Sequence, residues 1–252
     1  MENSAVQEQI ESNLISCIVP ARNEEGHLKT VIEEIISVEE ITEVIIVEGG
    51  STDETYEKAL DLMSTHEKVA KVLKQAGKGK FDAVMHGSRE CSSELIVIWD
   101  ADGTVPLSET QRLLHEALDS GLPVIGNRLI GKMEKGAMFR ANFIANWLFA
   151  VVWSPLLGYQ VMDLLCGTKI FPKKVFENIP QTISKFDPYG DFTLLISAKL
   201  LGYRILSRRV NYNRRRYGQT NIRRWSGGVR LFWVTILCYR EVFIRKFQKI
   251  AR

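Results

Sequence analysis

Two carboxylates stand two residues apart where an apolar run ends, and residues of this type and spacing could do chemistry. The stretch Leu95–Trp99 is apolar, and Asp100 and Asp102 follow it. Residues i and i+2 of an extended chain point to the same side, so both carboxylates can face one ligand. Like charges held that close are costly unless a cation or a proton lies between them. Carboxylate oxygens suit a hard divalent cation such as Mg²⁺ or Mn²⁺, with phosphate oxygens completing its shell.

Asp-x-Asp alone also fits a solvated turn in which Asp100 caps the next segment, so the elements that position the pair matter. Short apolar runs predict buried strands at 14–19 (ended by Pro20), 44–47, 69–73 and 95–99. Helical spacing lies between and after them, at 24–37, 51–63, 81–89 and around 113–118. Ser51–Glu54 reads as a capping box for the second helix, and Ser108 as the cap of the fourth.

Strands that alternate with helices predict an α/β fold, with a mostly parallel sheet and helices on both faces. Ligands of such sheets bind at the carboxyl ends of the strands. Three predicted strand ends are polar: Pro20–Glu24, Glu48–Ser51 and Asp100–Asp102. We expect these segments to converge on one edge.

Length and charge distribution limit the classes of protein to which the chain can belong. The chain has 252 residues, which predicts one large domain or one domain with an appendage. Residues 199–252 carry 15 Lys or Arg and one acid, Glu241, so this part has a charge of +14 and the remainder −11. An acidic body with a basic tail indicates a surface that meets phosphates, nucleic acid or anionic lipid.

Cysteine and histidine usage argues against other sites. The four cysteines lie far apart without a CxxC pair, and the four histidines form no HExxH, so a zinc site built on histidine is not expected. The first 13 residues are polar and lack the apolar centre of a signal peptide. A reducing, cytosolic location is the simplest interpretation.

The second half contains a long uncharged segment. Residues 141–162 include no charged side chain over 22 positions, a length that could span a bilayer. Polar residues and Pro155 interrupt it, which favours a buried or interfacial helix pair over a true span. Residues 229–247 predict a last helix with a basic end.

Four motifs occur in an order more specific than any one of them: Val19–Glu25 (VPARNEE), Val47–Asp53 (VEGGSTD), Gly77–Gly79 (GKG) and Asp100–Asp102 (DAD). This order resembles the GT-A fold of the family-two inverting glycosyltransferases. The resemblance is closest to the polyprenol-phosphate hexosyl transferases, the group of dolichol-phosphate mannose synthase. Later blocks extend it over about residues 14–225: Gly126–Arg128, Arg140–Asn142, Asp163–Lys169 and Arg215–Asn221.

The resemblance implies a donor site. Asp100 and Asp102 would hold a divalent cation, Mg²⁺ or Mn²⁺, on the diphosphate of a nucleotide sugar. The further residues that the resemblance places at the nucleotide sugar are Pro20, Asn23, Glu24, Glu48 and Lys78.

Some donor-site positions leave alternatives open. Glu48 occupies the first acidic place of the family's Asp-Asp-Gly-Ser block, but Gly49 stands at the second. The identity of the nucleoside base therefore stays open. Gly49 and Gly50 fit a tight turn equally well. Lys78 fits a solvated loop nearly as well, and Asp53 also fits the role of a helix N-terminal charge alone.

The resemblance also implies a site for phosphates on the acceptor side. Arg128, Arg140 and Arg215 fall where the family holds the acceptor phosphate and the donor diphosphate, and the guanidinium fork suits phosphate oxygens. Arg214 and Arg216 are expected to be solvated or to face lipid. Asn221 stands where the family often has lysine, and Arg223 or Arg224 could supply that charge.

Asp191 falls where many members carry a catalytic acid. With a hydroxyl acceptor it would be the general base. With a phosphate acceptor, which is already ionised, it would orient groups or pair with an arginine. Asp187 is the fallback for either role.

The sequence therefore predicts a metal-dependent inverting hexosyltransferase, peripherally attached to the cytosolic face of a membrane, with a nucleotide-sugar donor and a polyprenyl-phosphate or other small acceptor. No nucleic-acid partner is expected, and the oligomeric state is open. Two alternatives remain: the same fold with a soluble hydroxyl acceptor, and a non-catalytic nucleotide-sugar-binding module. The expected organisation is a polar segment (1–13), a catalytic domain (14–225, with a donor half to about 125 and an acceptor half from 126) and a basic amphipathic helix (226–252).

Overall fold

A seven-stranded sheet runs through the part of the chain that the computed structural model describes, residues 14–187, 189–217 and 224–250. Its strand order is β3-β2-β1-β4-β6-β5-β7. Strand β6 is antiparallel to both of its neighbours, and the other paired strands are parallel. The expected mostly parallel sheet is therefore confirmed. The strands are β1 (Ile15–Ala21), β2 (Ile41–Glu48), β3 (Val69–Lys74), β4 (Leu95–Ile98), β5 (Val124–Asn127), β6 (Lys169–Pro172) and β7 (Leu206–Arg209).

Helices cover both faces of the sheet, and each face has its own apolar core. Buried side chains of α1, α2 and α4 pack on one face. Those of α3 and of α5 to α9 pack on the other. The helices are α1 (Leu28–Ile36), α2 (Thr55–Thr65), α3 (Lys80–Glu90), α4 (Leu107–Ser120), α5 (Arg140–Leu157), α6 (Lys173–Glu177), α7 (Gln181–Ser184), α8 (Asp191–Leu200) and α9 (Arg224–Ile250).

The reversed direction of β6 matters for the site. Ile98, the last residue of β4, is paired with Lys169, the first residue of β6. A strand that starts where its neighbour ends places its first side chain at the neighbour's carboxyl end. The sheet thus brings Lys169 close to Asp100.

Strand β1 continues through Pro20, although we expected Pro20 to end it. The Ala21 carbonyl accepts a hydrogen bond from the N–H of Gly49 on the β2 side. Because successive residues of a strand point their backbone groups to opposite sides, the nitrogen of Pro20, which carries no hydrogen, faces β4. Strand β4 is paired with β1 only as far as Ile18. No ladder bond is therefore lost at Pro20, which is where a sheet tolerates proline.

Two predicted helix caps are wrong. The Ser51 hydroxyl accepts the Asn23 N–H instead of capping a helix, and α2 begins at Thr55, whose N–H donates to Asp53 at 3.1 Å. Ser108 lies inside α4, which begins one residue after Pro106. In both cases the hydroxyl residue stands one or more positions away from the true start.

The uncharged segment forms one helix and not the expected pair. Helix α5 includes Pro155 near its end and stops at Gly158, whose φ is 86°. Because Pro155 lies in the last turn, its missing N–H removes one hydrogen bond without breaking the helix. Among the described helices, none is long and apolar enough to cross a membrane.

Trp153 joins α5 to two other helices. It is fully buried, its Nε1 donates to Thr235 Oγ1 of α9 at 3.1 Å, and its ring centroid lies 4.5 Å from that of Phe192 in α8. We expect Trp153→Ala to lower the free energy of unfolding by about 3–5 kcal/mol, because it leaves a cavity in the core and removes the hydrogen bond to Thr235. Urea denaturation followed by circular dichroism measures this.

Trp147 on the same helix provides the control, since its side chain is 49% exposed. Trp147→Ala should change the free energy of unfolding by less than about 1 kcal/mol. Equal effects of the two substitutions would contradict the anchoring role of Trp153.

Candidate active site

Charged side chains from widely separated parts of the sequence meet at the carboxyl edge of the sheet. Asp100 and Asp102 follow β4, as the sequence predicted, and Arg215 reaches Asp102 from the segment after β7. Lys169 begins β6 and Asp191 begins α8. The edge therefore carries a mixed network of carboxylates and cations.

Asp100 is ion-paired with Lys80, a residue that the sequence interpretation did not select. Lys80 Nζ donates a hydrogen bond to Asp100 Oδ1. Burial alone would raise the pKa of Asp100, but Lys80, Lys169 and Arg128 outweigh it, so the pKa lies below its ordinary value. Asp100 is therefore held as an anion.

Gly167 leaves the room that the Asp100 carboxylate occupies. A Cβ atom at position 167 would overlap the Oδ2 atom of Asp100. Any other residue there would have to push the carboxylate aside. The glycine of the Asp163–Lys169 block thus permits the observed position of the Asp100 carboxylate.

Asp102 is held differently. Its Oδ1 accepts the N–H of Thr104 at 3.2 Å and the hydroxyl of Thr104 at 2.8 Å. Its Oδ2 lies 3.6 Å from an Nη atom of Arg215. Burial and the neighbouring charge of Asp100 raise its pKa above the ordinary value. Asp102 thus favours the approach of additional positive charge.

Arg215 connects Asp102, after β4, with the loop after β1. It donates to Glu24 Oε1, and its Nε donates to the Tyr217 carbonyl at 2.8 Å. Glu24 is buried, and within the described ranges its Oε2 has no hydrogen-bond partner. Tyr217 in turn donates its hydroxyl to Glu25 at 2.8 Å. This segment therefore lies across the β1 end of the edge.

Asp191 pairs with a buried lysine and not with an arginine. Lys169 Nζ lies 2.8 Å from Asp191 Oδ1, and the Lys169 side chain is 1% exposed. Lys169 also donates to the Cys166 carbonyl. Asp191 stands at the first residue of α8, where the helix dipole favours an anion. Both features fix the position of its carboxylate at the start of α8.

Asp187, the fallback, has a structural role. Its carboxylate accepts the N–H groups of Tyr189, Gly190 and Thr193, and also the Thr193 hydroxyl. These bonds hold the start of α8. Burial and the charge of Asp191 raise the Asp187 pKa.

Arg128 forms a two-point ion pair with Asp163. Its Nε and one Nη donate to the two carboxylate oxygens at 2.7 and 2.8 Å, and its backbone N–H donates to Oδ2 at 2.8 Å. Its guanidinium carbon lies 4.9 Å from the centroid of the Tyr212 ring. A guanidinium has five N–H donors, so donors remain for a ligand after the two bonds to Asp163.

The residues expected at the nucleoside lie at the ends of β1 and β2. Asn23 has a φ of 56° and accepts the Thr52 N–H at 2.8 Å, which joins the two loops. Glu48 is buried and accepts the Ser51 N–H. Pro20 is half-buried. These contacts order the loops, and their role toward a nucleoside stays a prediction.

Two predicted basic residues stay at the periphery, and others lie outside the description. Lys78 and Arg140 are exposed, the first in the loop before α3 and the second at the first residue of α5. Residues 1–13, 218–223 (with Asn221 and Arg223) and 251–252, as well as the Arg224 side chain, lie outside the described residues.

Lys80 and Lys169 were missed, although the sequence carries a signal for each. Lys80 stands at the first position of a helix, where the dipole disfavours a cation, so a compensating anion is expected nearby. Lys169 interrupts an apolar run that includes Ile170 and Phe171, and a buried lysine needs a partner.

A metal ion would need ligands beyond this edge's carboxylates. In the described part of the chain, no group of three or more His, Cys, Asp or Glu side chains is arranged to hold one. Asp100 and Asp102 offer hard oxygen atoms, so phosphate oxygens or water would have to supply the other ligands.

The Arg128–Asp163 pair supports the fold as well as the site, because the Asp163 side chain is fully buried. Asp163→Asn should lower the free energy of unfolding by about 3–5 kcal/mol, since it leaves a buried guanidinium without its anion. Urea denaturation measures this loss.

The exposed pair Lys29–Glu33 on α1 is the control. Glu33→Gln should cost less than about 1 kcal/mol. A loss at Asp163 no larger than that at Glu33 would contradict the structural role of the buried pair.

Known proteins resemble the chain in sequence. A "Glycosyltransferase AglJ" of Haloferax volcanii is 28% identical over 68% of this chain and 54% of its own length. A "Dolichyl-phosphate beta-glucosyltransferase ALG5A" of Trichomonas vaginalis is 27% identical over 79% of this chain and 65% of its own. An "Undecaprenyl-phosphate 4-deoxy-4-formamido-L-arabinose transferase" of Proteus mirabilis is 25% identical over 67% of this chain and 52% of its own. The chain thus spans about half to two thirds of the length of these relatives.

The fold is shared with a solved enzyme. Glucosyl-3-phosphoglycerate synthase of Mycobacterium tuberculosis, in complex with Mn²⁺, UDP-glucose and phosphoglyceric acid, superposes with a TM-score of 0.68. The match covers 93% of this chain and 83% of that one, with 22% identity. The family model described as "Glycosyl transferase family 2" matches residues 16–180, more than half of the sequence. On these grounds the chain belongs to glycosyl transferase family 2.

Proposed function

We propose that the protein transfers a hexose from a nucleoside-diphosphate sugar to a polyprenyl phosphate at the cytosolic surface of a membrane, with inversion at the anomeric carbon. The observation that carries this proposal is the meeting of Asp100 and Asp102 with Arg215 at one sheet edge. Two relatives are named for transfer to dolichyl or undecaprenyl phosphate. The donor half (14–125), the acceptor half (126–225) and the basic helix (226–252) are part of the same proposal.

The donor would lie across the carboxyl ends of β1, β2 and β4. Pro20, Asn23, Glu24 and Glu48 would form the nucleoside side, and Lys78 would approach the phosphates from its loop. Asp100 and Asp102 fit a divalent cation, Mg²⁺ or Mn²⁺, because the two carboxylates follow one strand and offer hard oxygen atoms at the same edge of the sheet. When bound together with the diphosphate, the cation would supply Lewis-acid stabilisation of the leaving group.

For the transfer itself, the protein has to position the two substrates and stabilise the negative charge of their phosphates. One oxygen of the ionised acceptor phosphate attacks the anomeric carbon from the side opposite the diphosphate. The new C–O bond forms as the bond to the diphosphate breaks, and the nucleoside diphosphate leaves with the electron pair. Arg215, which lies between Glu24 and Asp102, would bind phosphate oxygens of the donor and the acceptor. Arg128 would bind the acceptor phosphate with the donors that Asp163 leaves unused, and Arg140 would approach from the start of α5.

The contacts of Asp191 favour a phosphate over a hydroxyl acceptor. A hydroxyl must lose a proton, and Asp191 is the candidate base. Its Oδ1 atom lies 2.8 Å from Nζ of the buried Lys169, so the Asp191 carboxylate already has a partner within the protein. A phosphate acceptor needs no base, so the pair can serve to hold α8 against β6.

Membrane attachment is the part of the proposal that rests on α5 and α9. Both helices expose large apolar side chains: Phe143, Ile144, Trp147 and Val151 on α5, and Phe232, Trp233, Ile236, Phe243, Ile244 and Phe247 on α9. The helices touch where the Tyr239 hydroxyl donates to the Val152 carbonyl at 2.6 Å. We name these exposed side chains the two-helix face. Arg245 and Lys246 are exposed beside it, and the pairing of apolar and basic groups suits an anionic bilayer.

The first test is Asp102→Asn, assayed with a panel of nucleotide sugars, polyprenyl phosphate and Mn²⁺, with products identified by mass. Transfer should fall by about 10²–10³-fold or more, because a stabiliser of the developing charge is removed. The circular dichroism spectrum should stay unchanged.

Asp61→Asn, which alters an exposed carboxylate on α2, is the matched control and should keep wild-type turnover. Near-normal transfer by Asp102→Asn, independent of added metal, would remove the metal role from the proposal. A wild-type protein that binds nucleotide sugars but transfers nothing would favour the non-catalytic module.

The second test compares Arg215→Ala with Asp191→Asn to identify the acceptor chemistry. With a phosphate acceptor, Arg215→Ala should lower kcat/KM by about 10–100-fold, since a charge-assisted hydrogen bond contributes about 1.5–3 kcal/mol. Asp191→Asn should be comparatively mild in those molecules that remain folded.

Thermal unfolding must precede this assay, because Asp191→Asn leaves Lys169 buried without its anion. Arg216→Ala, next to Arg215 but exposed, controls for general loss of charge. A large loss at Asp191 with a small loss at Arg215 would point to the soluble hydroxyl acceptor instead.

The third test concerns the membrane. The double variant Arg245→Glu/Lys246→Glu should bind anionic vesicles at least about 30-fold more weakly, since each basic residue near the surface contributes about 1 kcal/mol. Co-sedimentation with vesicles containing phosphatidylglycerol measures this, and high salt should release the wild-type protein.

Lys29→Glu, an exposed charge reversal on α1, should bind as the wild type does. Release by detergent alone, with no effect of salt or of the double variant, would mean that residues 141–162 insert more deeply than this proposal allows.

A further inference from the structure

A lysine is bonded to one of the two carboxylates that would hold a divalent cation. Lys80 Nζ donates a hydrogen bond to Asp100 Oδ1, and the two side chains are 28% and 33% exposed. A ligand that enters from solvent can therefore reach the pair. Asp191 and Asp102 also lie within electrostatic range of the Lys80 ammonium group. This ammonium group thus already supplies positive charge to the carboxylates that would favour a divalent cation.

The main chain at Lys80 is held from two sides. The carbonyl of Gly79 accepts a hydrogen bond from Gln75 Nε2 at 2.7 Å. Phe81 is buried and packs so closely on Gly190 that a Cβ atom at position 190 would overlap its ring. The start of α3 is therefore fixed, whereas a lysine side chain is a flexible stem of four carbon atoms. Any change of partner must come from rotation of that side chain.

Asp100 has little room to turn away from Lys80. Its Oδ2 atom lies against Gly167, where a Cβ atom would overlap it. An ammonium group and a divalent cation on the same carboxylate repel each other. A divalent cation that coordinates Asp100 therefore competes with Lys80 for this carboxylate.

A displaced ammonium group would need another anion. Asp191 is already paired with Lys169, at 2.8 Å, and Asp102 would be engaged by the same divalent cation. The remaining anion at this edge is then the diphosphate of the donor. An ammonium group has three N–H donors and binds phosphate oxygens as a point charge.

We propose that Lys80 exchanges partners when the donor binds. In the ligand-free protein it neutralises Asp100 and keeps the affinity of this edge for a divalent cation low. With the donor present, Lys80 releases Asp100 to the divalent cation and donates to an oxygen of the diphosphate instead. The cation and the diphosphate then bind cooperatively. The inference rests on the proposed function, because it assumes a nucleoside-diphosphate donor and a divalent cation at Asp100 and Asp102.

The test measures binding alone, without acceptor or transfer. The signal of free Mn²⁺ in electron paramagnetic resonance gives the Kd of the full chain for Mn²⁺. It is recorded without a nucleotide and then with the nucleoside diphosphate that binds best from a panel of UDP, GDP, ADP and CDP. In the wild type, the nucleotide should lower the Kd for Mn²⁺ about tenfold or more, a coupling within the range that is usual for two ligands.

Lys80→Met removes the ammonium group and keeps most of the side chain's volume. The ligand-free variant should bind Mn²⁺ about tenfold or more tightly than the wild type, because the competing charge is gone. The nucleotide should then lower the Kd for Mn²⁺ by a factor about tenfold smaller than in the wild type, because the bond from Lys80 to the diphosphate is lost. This loss of coupling is the decisive quantity, since a fixed charge beside Asp100 would not produce it.

Two further variants control the measurement. Arg89→Met removes an exposed charge from the last turn of the same helix and should leave the Mn²⁺ affinity and the coupling as in the wild type, because exposed charges are screened by salt. Thermal unfolding checks that Lys80→Met folds. Where it does not, Lys80→Gln takes its role, because glutamine is neutral but can still donate a hydrogen bond to Asp100, and the same loss of coupling is expected.

The outcomes separate the inference from the proposed function. An unchanged Mn²⁺ affinity in the Lys80 variant would show that Lys80 does not compete for Asp100. Tighter Mn²⁺ binding by the same factor with and without nucleotide would show that Lys80 keeps its partner. Either result overturns the inference alone. A wild-type protein that binds none of the four nucleoside diphosphates, with or without Mn²⁺, would overturn the proposed donor site and the inference with it.

Discussion

The concentration of negative charge at the carboxyl ends of β1 and β4 is the constraint on which the rest of the site depends. Asp100 and Asp102 repel each other in a partly buried setting, where charges interact more strongly than in water. The compensating cations come from three different elements: Lys80 from α3, Lys169 from β6 and Arg215 from the segment after β7. The charge balance therefore ties together parts of the chain that are far apart in sequence. The antiparallel direction of β6 contributes to this charge balance, because it places Lys169, the first residue of that strand, at the end of β4.

The sequence predicted the first four strands well, because each is a short apolar run in a chain that alternates with helical spacing. It also identified Asp100, Asp102, Arg128 and Arg215, which the structure brings to the edge or beside it. The capping prediction at Ser51 failed because the serine hydroxyl had a partner in another loop, Asn23, that no local pattern reveals. The helix pair at 141–162 failed because a proline in the last turn does not end a helix.

Lys78 and Lys80 show what a local sequence pattern cannot predict. Lys78 and Lys80 stand in the same glycine-rich run, and both could approach a phosphate. Lys80 begins α3 directly after Gly79, whose φ of 90° sets the direction in which that helix starts. The start of the helix turns Lys80 toward Asp100 and leaves Lys78 in solvent. A backbone angle at a single glycine, which the sequence does not display, decides which lysine takes part.

The charges at the edge bear on the order in which a donor could bind. Among the described side chains that meet there, four carboxylates (Glu24, Asp100, Asp102 and Asp191) face three cations (Lys80, Lys169 and Arg215), when Arg128 and Asp163 are set aside as a neutral pair. The remaining charge is negative, so a nucleoside diphosphate approaching alone would meet repulsion. In the proposed function, a divalent cation that arrives with the diphosphate would make the net charge of this edge positive. The same carboxylates that disfavour the bare nucleotide then favour the cation complex. In the proposed function, the ion pairs of Lys80 and Arg215 would stabilise the two aspartates until a ligand with its own cation replaced part of that compensation.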